Sequence, residues 1–196
     1  MSAVDEREGA LLERLDVPAL DIALCQYLPD GQGWGHGEGA LITSLVQSAL
    51  EGHPALIIRV SLRGIERIDV SCARQLVRLV RAERKRRGFC LVGASRGDVL
   101  MNWEAASMLE EQPLIAWEGH MIYHLLGPQP RPGLRDMFSY VLSVPVARTT
   151  EAARKLGLQV PNASNKLSQL WQDGYILRSA HAAQSGGVEY MYRRIG

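Results

Sequence analysis

The stretch Gly127-Pro128-Gln129-Pro130-Arg131-Pro132-Gly133 constrains this chain more than any other. Three prolines within five residues exclude a continuous helix or an internal strand, because each fixes φ and removes a backbone donor. Such a segment is expected to be a stiff, extended connector. The chain is therefore expected to fold as two parts, residues 1–127 and 134–196, joined by residues 128–133. A length of 196 residues accommodates two small domains. Charge divides at the same place. Residues 131–196 carry nine basic side chains against four acidic ones, a local +5, whereas the first 130 carry 13 basic and 17 acidic, a local −4. The overall net charge of +1 hides this asymmetry, which points to an anionic partner for the C-terminal part.

Several function classes drop out early. No stretch approaches the ~20 unbroken apolar residues of a membrane helix, and the start, MSAVDEREG, is acidic where a secretory signal is basic and then apolar. A cytoplasmic protein with no membrane partner is expected. Cys25, Cys72 and Cys90 are far apart, with neither CxxC nor Cys/His ligand spacing, so reduced thiols are expected rather than disulfides or zinc. His120 and His124, four apart, would share a helix face and bind metal if a carboxylate joined them, but no HExxH-like pattern surrounds them. There is no GxSxG, no P-loop and no strand-turn-helix GxGxxG, so neither an enzyme nor a resident cofactor is expected.

In the first part, Ala10–Leu15 is a short amphipathic piece and Asp21–Leu28 reads as a strand. Gly31–Gly39, with glycine at every second position, reads as a mobile loop around Trp34 and His36. A helix is expected where Leu41, Ile42, Leu45, Val46, Ala49 and Leu50 recur at helical spacing, stopped by Gly52. Ala55–Leu62 reads as a buried central strand, Ile65–Ile68 as a short strand and Cys72–Arg87 as a helix ended by Gly88. Strand Phe89–Val92, helix Val99–Leu109 and a last strand, Leu114–Trp117, complete an α/β layer with parallel pairing wherever a helix crosses over.

The run Ile57-Ile58-Arg59-Val60-Ser61-Leu62-Arg63-Gly64-Ile65-Glu66-Arg67-Ile68-Asp69-Val70-Ser71 resembles the core of a STAS-type domain, the resemblance extending over residues 21–126. That family carries an Asp-Ser-Ser-Gly-Leu motif opening a helix; here Asp69, Ser71 and Cys72 match its Asp, second Ser and Gly positions, while Val70 and Ala73 replace the others. The resemblance implies a mixed sheet with helices, a signal-sensing or partner-recruiting role, and a phosphoacceptor at Ser71 served by a partner kinase. A helix N-terminus favours a phosphoserine, but Asp69 or Ser71 is also an ordinary N-cap candidate. Cys72 at the same helix start is either a redox-sensing thiol or a small buried residue. The stripe Arg74, Arg78, Arg81, Arg84, Lys85, Arg86 and Arg87 is either a phosphate-contacting surface or, as favoured here, a solvated helix face.

The second part has Leu134, Met137, Phe138, Val141 and Leu142 on one face of a helix, a short helix opened by Thr149-Thr150-Glu151 and stopped by Gly157, and a third N-capped by Asn162. Ala163, Leu167, Leu170 and Trp171 line the inner face of the third helix, leaving Ser164, Asn165, Lys166, Ser168, Gln169 and Gln172 outward. Strands Tyr175–Ser179 and Val188–Ile195 flank a glycine-containing tip, as in a hairpin. This order, with the run from Thr149-Thr150-Glu151-Ala152-Ala153-Arg154-Lys155-Leu156-Gly157-Leu158 to Leu170-Trp171-Gln172-Asp173-Gly174-Tyr175-Ile176-Leu177-Arg178, resembles the bacterial winged helix-turn-helix transcription regulators. The resemblance implies a small α+β DNA-binding domain. Asn162, Ser164, Asn165, Lys166 and Gln169 would face bases, Arg148, Thr149 and Arg154 would touch phosphates, and the wing around Gln184 with Arg193 and Arg194 would reach the backbone or minor groove.

Three readings follow. The leading one is a dimeric regulator binding double-stranded DNA, since one winged helix reads a half-site. The second is a protein-interaction phosphoswitch acting through Ser71. The third, compatible with the first, is a small-molecule cleft under Gly31–Gly39.

Overall fold

A computed structural model describes residues 17–93, 97–119, 122–182 and 187–196 of the chain. The expected amphipathic piece Ala10–Leu15, His120 and Gln184 lie outside the described residues. It is a mixed α/β protein with six α-helices among the described residues, divided into two compact units, Pro18–Gln129 and Pro130–Ile195.

In the first unit the five-stranded sheet has the order β1 (Ala19–Ala23), β3 (Ile57–Ser61), β5 (Gly88–Val92), β6 (Leu114–Trp117), β7 (Tyr123–Leu126). The first four are parallel and β7 runs antiparallel to β6. The alternation of β3 explains its placement: Ile58 and Val60 are buried, and they share a core with Phe89 and Leu91 of β5. Helices α1 (Gly35–Leu50), α2 (Val70–Glu83) and α3 (Gly97–Leu109) add Ile42, Val46, Leu76, Val77, Val80 and Trp103 to that core. Helix α2 starts where it does because Asp69 caps it, its Oδ1 accepting from Cys72 N at 2.7 Å, a contact worth ~1 kcal/mol.

Several expectations need correction. The first strand ends at Ala23, and Leu24–Gln26 turn as a 3-10 helix. The glycine-rich stretch is not a loop: Gln32–Gly33 (β2) pairs in parallel with Arg67–Ile68 (β4), and α1 begins at Gly35. Close approach is the reason for at least one of these glycines. A Cβ on Gly39 would lie 2.7 Å from the Cys72 carbonyl oxygen and 2.8 Å from its Cα, so only glycine lets α1 sit so near α2. Helix α2 ends at Glu83 rather than Arg87, and Gly88 is the first residue of β5 rather than a helix stop. Leu114–Trp117 is not the last strand, since β7 follows it, and His124 therefore lies on a strand rather than a helix face.

In the second unit Pro132–Leu134 form a 3-10 turn leading into α4 (Arg135–Ser143), so the proline-rich stretch contributes its second half to this unit instead of acting wholly as a connector. Proline suits that position because its fixed φ matches a first helical turn. There follow β8 (Ala147–Arg148), α5 (Thr149–Leu156), α6 (Val160–Gln172), β9 (Leu177–Ala182) and β10 (Val188–Arg193). The two-residue β8, unforeseen in the sequence, pairs with β10 to give the antiparallel order β8-β10-β9. Gly157 closes α5 in the left-handed conformation, φ 64°. Met137, Phe138, Val141, Ala152, Leu167 and Ile176 are among its buried residues, and Phe138 meets Tyr175 edge-on at 5.6 Å. Helix α6 is capped by Gln159, with Pro161 in its first turn, so Asn162 is a helical residue rather than the cap.

Candidate nucleic-acid interface

Ala163, Leu167 and Leu170 anchor α6 in the core of its unit, which turns Asn162, Ser164, Asn165 and Gln172 to solvent. The helix start is open as well. Gln159 makes no side-chain cap bond, and Val160 and Pro161 are exposed. First-turn N–H groups have no intrahelical acceptor and attract anions. Two residues expected to face bases are instead engaged within the chain: Lys166 Nζ donates to the Gly133 carbonyl, and Gln169 Nε2 donates to Asp173 Oδ1 at 2.9 Å.

Beside α6 lies an open cleft of about 960 Å³ whose lining includes Arg148, Thr149, Thr150, Ser164, Glu189 and Tyr190. Arg148 caps α5 with its backbone, and its guanidinium approaches Glu151 (3.7 Å) and Glu189 (3.9 Å). Arg154 and Lys155 are exposed in the last turn of α5, while Arg193 and Arg194 are half-buried at the end of β10 and just beyond. One group was not foreseen. The Arg178 guanidinium stacks on both Trp171, 3.3 Å from the ring centre, and Tyr190, 4.3 Å, an attraction a delocalised cation makes well. Burial raises the Tyr192 hydroxyl pKa, partly offset by a hydrogen bond from Arg178. Burial, then the Asp173 charge, pushes the Tyr175 hydroxyl up to about 12. The sequence signal for the stack was an aromatic-rich β10 facing an arginine in β9, visible only once the register was known.

In the first unit, Ser71 is exposed in the first turn of α2. Asp69 already serves the two adjacent helix starts, its Oδ1 accepting from Cys72 N and its Oδ2 from Gly35 N at 2.8 Å. Cys72 is fully buried, and burial first, then Asp69 and Glu38, push its thiol up to about 12, the reverse of a reactive thiolate. A small cleft of about 130 Å³, lined by Trp34, Arg67, Asp69, Asp98 and Asn102 among others, opens nearby.

The arginine stripe of α2 is neither a plain solvated face nor an unoccupied phosphate surface. Arg74 and Arg78 donate through Nε to Glu110 Oε1, Arg78 at 2.9 Å, and Arg81 donates to the Glu110 carbonyl at 3.0 Å. Desolvation pushes the Glu110 carboxyl up, but the bonds from Arg74 and Arg78 prevail and hold it below the usual carboxylate range. Arg87 donates to the carbonyls of Leu50 and His53, both at 2.9 Å. His124 Nε2 pairs with Glu118 at 2.9 Å. Among the described residues no group of three His, Cys, Asp or Glu side chains is placed to hold a metal ion, none of the three cysteines forms a disulfide, and no helix is long and apolar enough to cross a membrane. No family model, curated protein or solved structure matches this chain.

Proposed function

We propose that this protein is a DNA-binding transcriptional regulator, with a STAS-like first domain that senses a signal or partner and a winged helix that reads operator DNA. The observation that carries the reading is the exposed, uncharged face of Asn162, Ser164 and Asn165 on α6, bordered by the cleft of Arg148, Thr149 and Thr150. Amide and hydroxyl side chains at the start of a helix are suited to base edges in a major groove, and a basic unit with an open helix start is suited to phosphates. Lys166 and Gln169, engaged with Gly133 and Asp173, become positioning residues in this reading, and Asn162, Ser164 and Asn165 do the base reading. Arg154, with Arg193 and Arg194 at the end of β10, supplies further positive charge for the backbone. Two copies on a two-fold site would double the contacted sequence.

The phosphoswitch reading draws less support, because a phosphate on Ser71 would join a helix start where the Asp69 carboxylate already stands, bonded to Cys72 N and to Gly35 N of α1. The test is selection by the full chain from a random duplex pool with competitor, followed by anisotropy on the enriched sequence across a salt series. A recovered motif whose binding weakens steeply with salt is expected. Recovery of no motif, with binding absent even at low salt, would refute the proposal.

A further inference from the structure

We propose that Glu189 is a built-in competitor of the DNA backbone: it holds Arg148 until a phosphate displaces it, and so restrains binding to DNA outside the preferred sequence. The inference rests on the DNA-binding reading above. Register places the two residues together. Arg148 of β8 stands opposite Met191 of β10, so Glu189, two residues earlier, is its diagonal neighbour on the same face of the sheet. Arg148 Nε lies 3.9 Å from Glu189 Oε1, and Arg148 Nη1 lies 3.7 Å from Glu151 Oε1.

Both approaches exceed the ~2.7–2.9 Å of a charge-assisted hydrogen bond. The three side chains are also 32%, 41% and 42% exposed, so these pairs are solvated and open to exchange. A phosphate entering the cleft would find the same guanidinium together with the hydroxyls of Thr149, Thr150 and Ser164. Glu151 has a local reason for its place, since an acidic side chain is favourable in the first turn of α5. Glu189 stands opposite His181 of β9 and is the one acidic residue of β9 and β10, set in the wall of a cleft whose other polar groups are a cation and hydroxyls, beside apolar Val188 and Met191. By occupying Arg148 it weakens contact with any phosphate equally, whereas base contacts from α6 reward only the right sequence. The competitor therefore weakens matched and unmatched sites by the same factor, which empties first the non-specific sites that have no base contacts to hold the protein.

The test uses the full chain in four forms, wild type, Glu189→Gln, Arg148→Gln and the double variant, with a labelled mixed-sequence duplex followed by anisotropy over a salt series. Matching thermal unfolding midpoints establish that all four are folded. Glu189→Gln is expected to bind several-fold tighter, with the log affinity against log salt slope steeper by about 0.9, the signature of one more phosphate neutralised. In the Arg148→Gln background the same change is expected to do nothing. Equal tightening with and without Arg148, or no change from Glu189→Gln in a protein that does bind DNA, would overturn the inference. Absence of binding by all four forms at low salt would instead overturn the DNA-binding reading itself.

Discussion

Replacing Gly39 by alanine tests the packing that holds the first unit together, and replacing Gly37 supplies the control. Both glycines lie in α1, but a Cβ on Gly37 would meet nothing within 4 Å, whereas one on Gly39 would sit 2.7 and 2.8 Å from backbone atoms of Cys72 and 2.9 Å from Gln75 Cγ. The side-chain tip can yield; the backbone of α2 cannot. Restoring an ordinary 3.4 Å contact to the Cys72 Cα requires the helices to separate by about 0.6 Å, and over-packing of this kind costs ~1–3 kcal/mol. Alanine recovers up to ~1 kcal/mol of helix propensity in either position, so Gly39→Ala should destabilise by ~1–2 kcal/mol and Gly37→Ala should stabilise by a few tenths. With a urea dependence of ~1–3 kcal/mol per molar, the Gly39→Ala midpoint should fall by ~0.5–1 M, measured by far-UV circular dichroism and tryptophan emission. A Gly39→Ala midpoint that rises alongside that of Gly37→Ala would refute the argument, since propensity would then outweigh a contact that does not exist.

Glu110→Gln should cost ~1–2 kcal/mol at neutral pH, because it leaves Arg74 and Arg78 without their carboxylate while both keep substantial access to water. As the folded-state pKa of Glu110 lies below the unfolded value, its contribution is full above the ordinary carboxylate range and fades as pH falls through the folded value, so acid unfolding of the variant should lack that component. Asn165→Ala should leave stability unchanged and relax discrimination at one operator position by ~1–3 kcal/mol, read from competition between matched and mismatched duplexes. Lys166→Ala should lower the unfolding midpoint through loss of its bond to Gly133 while leaving the salt slope of DNA binding unaltered, since its ammonium is held at that carbonyl rather than at a phosphate.

The elements with strong apolar periodicity were legible in the sequence. Helices α2, α4, α5 and α6 and strands β3, β5 and β6 lie close to where the sequence pattern puts them, because burial of one face determines the helices and β3, and burial of the whole run determines β5 and β6. Short pieces were not legible. Ala147–Arg148 is a strand only by pairing with β10, and Tyr123–Leu126, mostly exposed, takes its register from β6. The glycines of 31–39 read as freedom, yet Gly39 serves close approach to Cys72, which lies beyond any local pattern. In the site, the outward face of α6 was recoverable from helical spacing. The bond from Gln169 to Asp173 was latent in an i, i+4 pair. The Lys166 and Glu110 partnerships span 33 and 36 residues, and no local signal announces them.

The five strands of the large sheet stand side by side in the order in which they occur along the chain, β1, β3, β5, β6 and β7, with none inserted between two earlier ones. During synthesis, which proceeds from the N-terminus and lets structure form before the chain is finished, each new strand can join the growing edge left by the one before. Every crossover helix then arrives just ahead of the strand it delivers. A parallel sheet, with its non-local pairings, is a slow topology; this strand order lets it grow at one edge, with no finished ladder to reopen when the next strand joins.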